Sequence, residues 1–167
     1  MKRFEHGGDV WHGNPSEWVD FSSNINMLGC PDFVERALSE AMQEVSFYPQ
    51  VDMELAIDGL SQMLDVASER ILPTNGGIAA LDLAITKLRP ARVVVVSPTF
   101  VEYERIAVVH DIDFVDISMI KGRREIAFPM AELMDEIKRD DMLIICNPSN
   151  PTGFGVEQDA MRKVLDL

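Results

Sequence analysis

The residues best suited to hold an anion are in the turn Thr74-Asn75-Gly76-Gly77, just before a helical pattern that begins at Ile78. Glycine lets the backbone approach a ligand closely, and the free N–H groups and dipole of a helix N-terminus favour negative charge. The turn matches neither a P-loop nor GxGxxG. It predicts a phosphate site, with an ordinary strand–turn–helix glycine as the competing interpretation.

Two further turns carry side chains that could contact a flat polar ligand. Residues 97–103 (SPTFVEY) place Tyr103 early in a helix, where its ring could stack on a planar group or could simply pack in the core. Residues 147–153 (NPSNPTG) contain two Asn-Pro steps, which restrict the backbone to extended conformations and present amide side chains. A turn this constrained indicates a binding role.

The elements that must position these turns follow an alternating pattern. Apolar, β-branched runs at 92–96, 114–117 and 142–146 predict strands, with a further short strand at 70–73. Helical spacing at 78–88, 98–109 and 130–138, and from Glu157 onward, predicts the helices between and after them. The fold class is therefore α/β, part of a doubly wound, mostly parallel sheet, in which ligands bind at the carboxyl ends of strands. Ahead of it we expect an irregular arm and two helices, at about 31–45 and 53–66.

Composition narrows the class of protein. The chain has 167 residues and a formal charge of −13, which argues against a nucleic-acid partner because phosphate backbones are bound by excess Lys and Arg. Two distant cysteines, Cys30 and Cys146, are typical of a reduced compartment, and no ligand spacing supports a metal site. The N-terminus lacks an apolar signal region and no long apolar run occurs, so we expect a cytoplasmic protein without a membrane segment.

The third turn resembles the NPxNPTG signature of the fold-type-I pyridoxal phosphate (PLP) enzymes, the class I/II aminotransferase superfamily. The resemblance implies PLP as the cofactor and a homodimer as the assembly. It implies that the cofactor-binding residues are Gly76, Gly77 and Ile78 through their backbone amides, Tyr103 by stacking on the ring, Asn150 by a hydrogen bond to the ring's phenolic oxygen, and Tyr48 by reaching the phosphate of the neighbouring subunit.

The N-terminal segment resembles one branch of this superfamily. Residues 6–8 (HGG) and 20–29 (DFSSNINMLG) are similar to the HGG and DFSxNINPLG segments of L-threonine-O-3-phosphate decarboxylases, with Met27 in place of a proline. The resemblance implies a phosphorylated amino-acid substrate, contacted by His6, Gly7 and Asn24, and formation of (R)-1-amino-2-propanol phosphate for cobalamin biosynthesis. Simple packing of the arm is the alternative role for these residues, and a histidinol-phosphate-type aminotransferase is the alternative activity.

The resemblance covers only about the first half of such an enzyme. It divides the chain into a substrate-covering segment, residues 1–50, and the incomplete first part of the PLP-binding domain, residues 51–167. The lysine that binds PLP as a Schiff base lies downstream in the family, so no catalytic residue is assigned here and we expect the chain alone to be inactive. A non-catalytic α/β remnant or binding domain is the competing interpretation of another class.

Overall fold

A computed structural model describes residues 7–122 and 125–167 of the chain. Their contacts divide them into two units, residues 7–73 and residues 74–167. The functional boundary expected between residues 50 and 51 lies earlier in the chain than this division. The roles assigned to the segments on either side of it stay a prediction.

The smaller unit, residues 7–73, contains two helices, α1 (Asp32–Ala41) and α2 (Glu54–Leu64), and short 3₁₀ turns at Pro15–Glu17 and Ser68–Arg70. Pro31 precedes α1, and acidic residues in the first helical turn complement the positive end of the helix dipole. None of residues 7–73 is buried, so the apolar side chains of α1 and α2 remain largely exposed. Both helices were expected from their apolar spacing, and the structure confirms them with slightly shorter bounds.

The larger unit, residues 74–167, is built on a three-stranded parallel sheet. Its strands are β1 (Arg92–Ser97), β2 (Asp113–Ser118) and β5 (Asp141–Ile144), in the order β2-β1-β5. A short antiparallel hairpin, β3 (Ile120–Lys121) with β4 (Glu125–Ile126), follows β2. The helices of this unit are α3 (Gly77–Leu88), α4 (Glu102–Val109), α5 (Met130–Glu136) and α6 (Gln158–Leu165). This confirms the α/β class and the parallel sheet.

Strand β1 is central because its side chains are apolar on both faces. Val93–Val96 are at most 3% exposed, and burial of each valine contributes roughly 1.5–3 kcal/mol relative to exposure. Alternate valines point to opposite faces, so each face has its own core. The first core groups Val93 and Val95 with buried residues Ile85, Ile106 and Ala107, and the second groups Val94 and Val96 with Ile117, Met119 and Leu133.

An ion-pair network holds the amino ends of the strands in register. Arg92 lies opposite Asp141 in the parallel ladder, and its Nε and Nη2 donate to the two carboxylate oxygens at 2.9 and 2.6 Å. Its Nη1 donates to Glu136 Oε1 at 2.7 Å. The hydrogen bonds from the guanidinium keep the pKa of the buried Asp141 carboxyl below its usual range. The network therefore ties α5 and β5 to β1 at the end opposite the predicted ligand turns.

Three details differ from the expected elements. Residues 71–73 form no strand; they follow the 3₁₀ turn at Ser68–Arg70 and end at Pro73, which has no N–H for a ladder. Helix α4 begins at Glu102 rather than at residue 98, since the preceding turn stays irregular. The β3–β4 hairpin was missed because its strands are only two residues each.

Candidate functional site

The three ligand turns all belong to the larger unit, and two of them leave the adjacent strands β1 and β5 at their carboxyl ends. Ile78, from the first turn, and Tyr103, from the second, pack on the same buried cluster of Ile85, Val93, Val95, Ile106 and Ala107. The third turn is joined to the second by a hydrogen bond from Ser149 to Pro98. The fold thus brings Gly76, Gly77, Ile78, Tyr103 and Asn150 into one unit. The turns that carry Tyr103 and Asn150 follow the carboxyl ends of adjacent strands, where doubly wound sheets bind ligands.

The first turn leaves room beside its glycines. Gly76 precedes α3 with φ of +85°, a conformation that glycine adopts without strain. No atom lies within 4 Å of a Cβ placed on Gly76 or Gly77. Open space beside the first turn of a helix, whose leading N–H groups have no intrahelical partner, is the geometry that an anion requires.

Tyr103 lies in the first turn of α4, and its ring is half-buried. Phe100 packs edge-to-face against it, with ring centroids 5.8 Å apart and planes at 89°. Burial, followed by a hydrogen bond with Cys146, raises the pKa of Tyr103 to about 12. A phenol is neutral at physiological pH even at its ordinary pKa, and the raised pKa keeps Tyr103 neutral further into the alkaline range. Packing restrains its ring.

The third turn is held by its own hydrogen bonds. Asn147 Oδ1 accepts from Val156 N at 3.0 Å, and the Ser149 carbonyl accepts from Gly153 N at 2.7 Å. Both Asn-Pro peptides are cis. Asn150 is half-buried within this loop, next to the buried Ser149.

One buried hydroxyl near the site has no hydrogen-bond partner among the described residues. It is Oγ1 of Thr99, in the turn between β1 and α4. An unpaired buried hydroxyl costs about 1–3 kcal/mol, and most buried polar groups in native structures are hydrogen-bonded. Thr99 is thus a polar group that the described residues leave unsatisfied.

The remaining predicted residues belong to the smaller unit or lie outside the described residues. Tyr48 is 89% exposed and lines an open surface cavity of about 490 Å³ with Phe47 and Pro49. Asn24 is exposed, and His6 lies outside the described residues. The predicted binding roles of His6, Asn24 and Tyr48 stay predictions.

Within the smaller unit, Gly7 and Gly8 of the first arm segment lie against Ser22 of the second. Gly8 N donates to Ser22 Oγ at 2.9 Å, and a Cβ on Gly7 would lie 1.8 Å from the Ser22 carbonyl oxygen. The Ser22 and Ser23 hydroxyls donate to Asp20, which lowers the pKa of that carboxyl. Gly7 therefore permits a close backbone approach that no other residue allows.

The larger unit fits the phosphate and ring of PLP. The glycine turn offers open space beside helix N–H groups, Tyr103 offers a neutral aromatic ring, and Asn150 is an amide side chain in a rigid loop. The described lysines are Lys87, Lys121, Lys138 and Lys163, and none lies in the three turns. The described residues hold the elements of a binding site without the covalent anchor.

Sequence reasoning overlooked three residues of this edge: Thr99, Cys146 and Ser149. Ser149 occupies the variable position of NPxNPTG, and Thr99 and Cys146 flank residues that the motifs had singled out. Their roles depend on contacts between loops distant in sequence, so only their adjacency to the motifs could have signalled them.

Within the described residues there is no group of three or more His, Cys, Asp or Glu side chains placed to hold a metal ion. Among those residues, too, no helix has the length and apolar character to cross a membrane.

Comparison with known proteins identifies the family of this chain. The family aminotransferase class I and II matches residues 16–167. Threonine-phosphate decarboxylase of Salmonella typhimurium is 28% identical over 96% of this chain and 46% of its own length. Histidinol-phosphate aminotransferase of Staphylococcus saprophyticus is 30% identical over 93% of this chain and 44% of its own.

A solved structure extends the comparison to the fold. L-threonine-O-3-phosphate decarboxylase from Porphyromonas gingivalis superposes with a TM-score of 0.68 and 25% identity, over 87% of this chain and 42% of that one. The chain thus spans less than half the length of the curated relatives it matches.

Proposed function

Because the chain belongs to the aminotransferase class I and II family, we propose that it is the N-terminal part of a PLP-dependent L-threonine-O-3-phosphate decarboxylase. The product is (R)-1-amino-2-propanol phosphate, for cobalamin biosynthesis in the cytoplasm. The observation that carries this proposal is that Gly7 and Gly8 of the HGG motif lie directly against Ser22 of the DFSSNIN segment. Similarity to threonine-phosphate decarboxylases supports it.

In this proposal each turn of the larger unit has one task. Backbone amides of Gly76, Gly77 and Ile78 bind the cofactor phosphate, the Tyr103 ring covers one face of the pyridine, and the Asn150 amide donates to the phenolic oxygen. PLP supplies the electron sink for breaking a bond at the substrate's α-carbon. The Tyr103 hydroxyl is protonated at neutral pH, as in any tyrosine with a pKa of 10 or above, so this face carries no negative charge.

Residues of the smaller unit contact the substrate and a second subunit in the same proposal. His6, Gly7 and Asn24 bind the phosphate or carboxylate of L-threonine phosphate, and exclude water by covering it. Tyr48, whose ring is 89% exposed, reaches the cofactor phosphate of the other subunit in a homodimer. A charge of −13 requires the phosphate to be held by local donors, because the overall field repels it.

None of the residues assigned to the site here is a lysine. In this proposal the chain alone therefore binds PLP reversibly and does not turn over substrate. The complete polypeptide can be tested by the intact mass of the protein from its native source after borohydride reduction. We expect about twice 18.7 kDa plus a reduced phosphopyridoxyl adduct. A mass of 18.7 kDa without an adduct would favour the non-catalytic α/β remnant.

A second activity, histidinol-phosphate-type transamination, is favoured by the 30% identity to histidinol-phosphate aminotransferase. The two activities separate by co-substrate. A decarboxylase releases carbon dioxide from L-threonine phosphate without a keto acid, whereas an aminotransferase needs a keto acid to accept the amino group. For the complete polypeptide, we expect carbon dioxide release from L-threonine phosphate without an added keto acid. Turnover of histidinol phosphate only with a keto acid would replace the decarboxylase proposal.

A further inference from the structure

Ser149 joins two loops that leave adjacent strands. Its Oγ donates to the backbone oxygen of Pro98 at 2.8 Å, across 51 positions of sequence. Pro98 follows β1 in the turn that leads to Tyr103, and Ser149 follows β5 immediately before Asn150. This hydrogen bond therefore connects the loop of one predicted cofactor contact to the loop of another.

The polar groups of Ser149 are all used within the protein. The residue is 5% exposed; its N–H donates to the Phe154 carbonyl at 2.8 Å, and its carbonyl accepts from Gly153 N at 2.7 Å. Its one hydroxyl proton is committed to Pro98, so the buried hydroxyl offers no donor to a ligand. Its effect on a bound group must pass through the loops that it joins.

We propose that Ser149 is a positioning residue whose hydroxyl sets the separation between the Asn150 loop and the turn that leads from β1 to Tyr103. The inference rests on the proposed function, because it assumes that both loops contact one PLP molecule. With the hydrogen bond formed, the amide and the ring are held at one spacing before the cofactor binds, and binding does not have to order them. Without it, the backbone of the 147–153 loop keeps its internal bonds but loses its tie to the turn after β1.

The chain offers a matched control in the same loop. Thr152 Oγ1 accepts from Phe154 N at 3.2 Å, so its hydroxyl bonds within the loop and not across to β1. Thr152→Ala removes a hydroxyl from the same seven-residue segment, whereas Ser149→Ala removes the inter-loop bond. Ser149→Thr keeps the donor, and Ser149→Cys keeps the shape with a weaker donor.

The test uses the 167-residue chain with PLP as the probe and two readouts. Equilibrium dialysis of chains that keep Tyr48 gives the PLP dissociation constant. NMR of labelled tyrosine without PLP, in a Tyr48→Phe background, reports Tyr103 alone, since the chain has two tyrosines. We expect Ser149→Ala to raise the dissociation constant about three- to tenfold, the effect of one ordinary hydrogen bond. It should also shift the Tyr103 signal before PLP is added. Ser149→Thr should restore both readouts, and Thr152→Ala should change neither.

The outcomes separate this inference from the proposed function. If Ser149→Ala folds, by circular dichroism, and leaves the Tyr103 signal and the dissociation constant unchanged, the positioning role is wrong. If Ser149→Ala does not fold, Ser149→Cys decides by the same two readouts. If the unsubstituted chain binds no PLP, the proposed function fails, while the Tyr103 signal without PLP still shows whether Ser149 couples the two loops.

Discussion

The raised pKa of Tyr103 is a direct consequence of the packing at the candidate site, and it can be measured. The structure places the value at about 12, against 10.0 for an ordinary tyrosine, with burial as the main cause and Cys146 as the next. At about pH 11, roughly a tenth of Tyr103 should be ionised in the folded chain, compared with roughly nine tenths of a free tyrosine. The difference is large enough to read from tyrosinate absorbance.

The assay is a rapid jump from neutral pH to about pH 11, read before the chain unfolds. A Tyr48→Phe background leaves Tyr103 as the one tyrosine of the 167-residue sequence. The fast absorbance change should be small and should be followed by a slower, larger one as the alkaline chain unfolds. The same jump in urea, where burial is lost, should give the full change at once.

Substitution of the neighbouring thiol separates the two causes. Cys146→Ala removes the hydrogen bond but leaves the ring buried, so the fast amplitude should rise only part of the way to the value in urea. A fast amplitude in the unsubstituted chain equal to that in urea would refute the burial of Tyr103, and with it the geometry assigned to this side of the site.

Three further predictions test the scaffold. Gly7→Ala should increase protease cleavage of the arm, because its Cβ would lie 1.8 Å from the Ser22 carbonyl oxygen. Gly59→Ala, in open space on α2, should instead stabilise the helix by about 0.5–1 kcal/mol. Equal cleavage of Gly7→Ala and the unsubstituted chain would contradict the close approach of Gly7 to Ser22. Asp141→Asn should reduce the free energy of unfolding at about pH 7. Since the folded-state pKa of Asp141 lies below 3.8, that stabilisation is complete above about pH 5 and disappears as pH falls through the folded-state pKa. Urea curves of the two proteins should therefore converge in acid and not in alkali. Leu133→Ala should cost about 2–5 kcal/mol in urea unfolding, because this side chain is fully buried; a loss below about 1 kcal/mol would mean that the second core is loosely packed.

Local sequence patterns were enough to predict the α/β class and the central strand. Four consecutive valines at 93–96 can be satisfied only where both faces of a strand are covered, and the structure buries all four. A short-range pattern also predicted α3 and the turn before it, because glycines followed by helical spacing can be recognised within a few residues. The 147–153 motif identified the family, which the match over residues 16–167 confirmed. It could do so because its residues are consecutive, so the motif can be recognised without knowing the fold.

The long-range contacts that hold these elements together are visible only in the tertiary structure. Arg92 and Asp141 are 49 positions apart, and Ser149 and Pro98 are 51 apart. Neither pairing has a local pattern, since each depends on which strands become neighbours and in what register. Gly7 shows the same limit, because its need for a missing Cβ exists only once residue 22 lies against it. Sequence periodicity records which face of an element is buried, whereas the contact between two loops is created when the sheet forms.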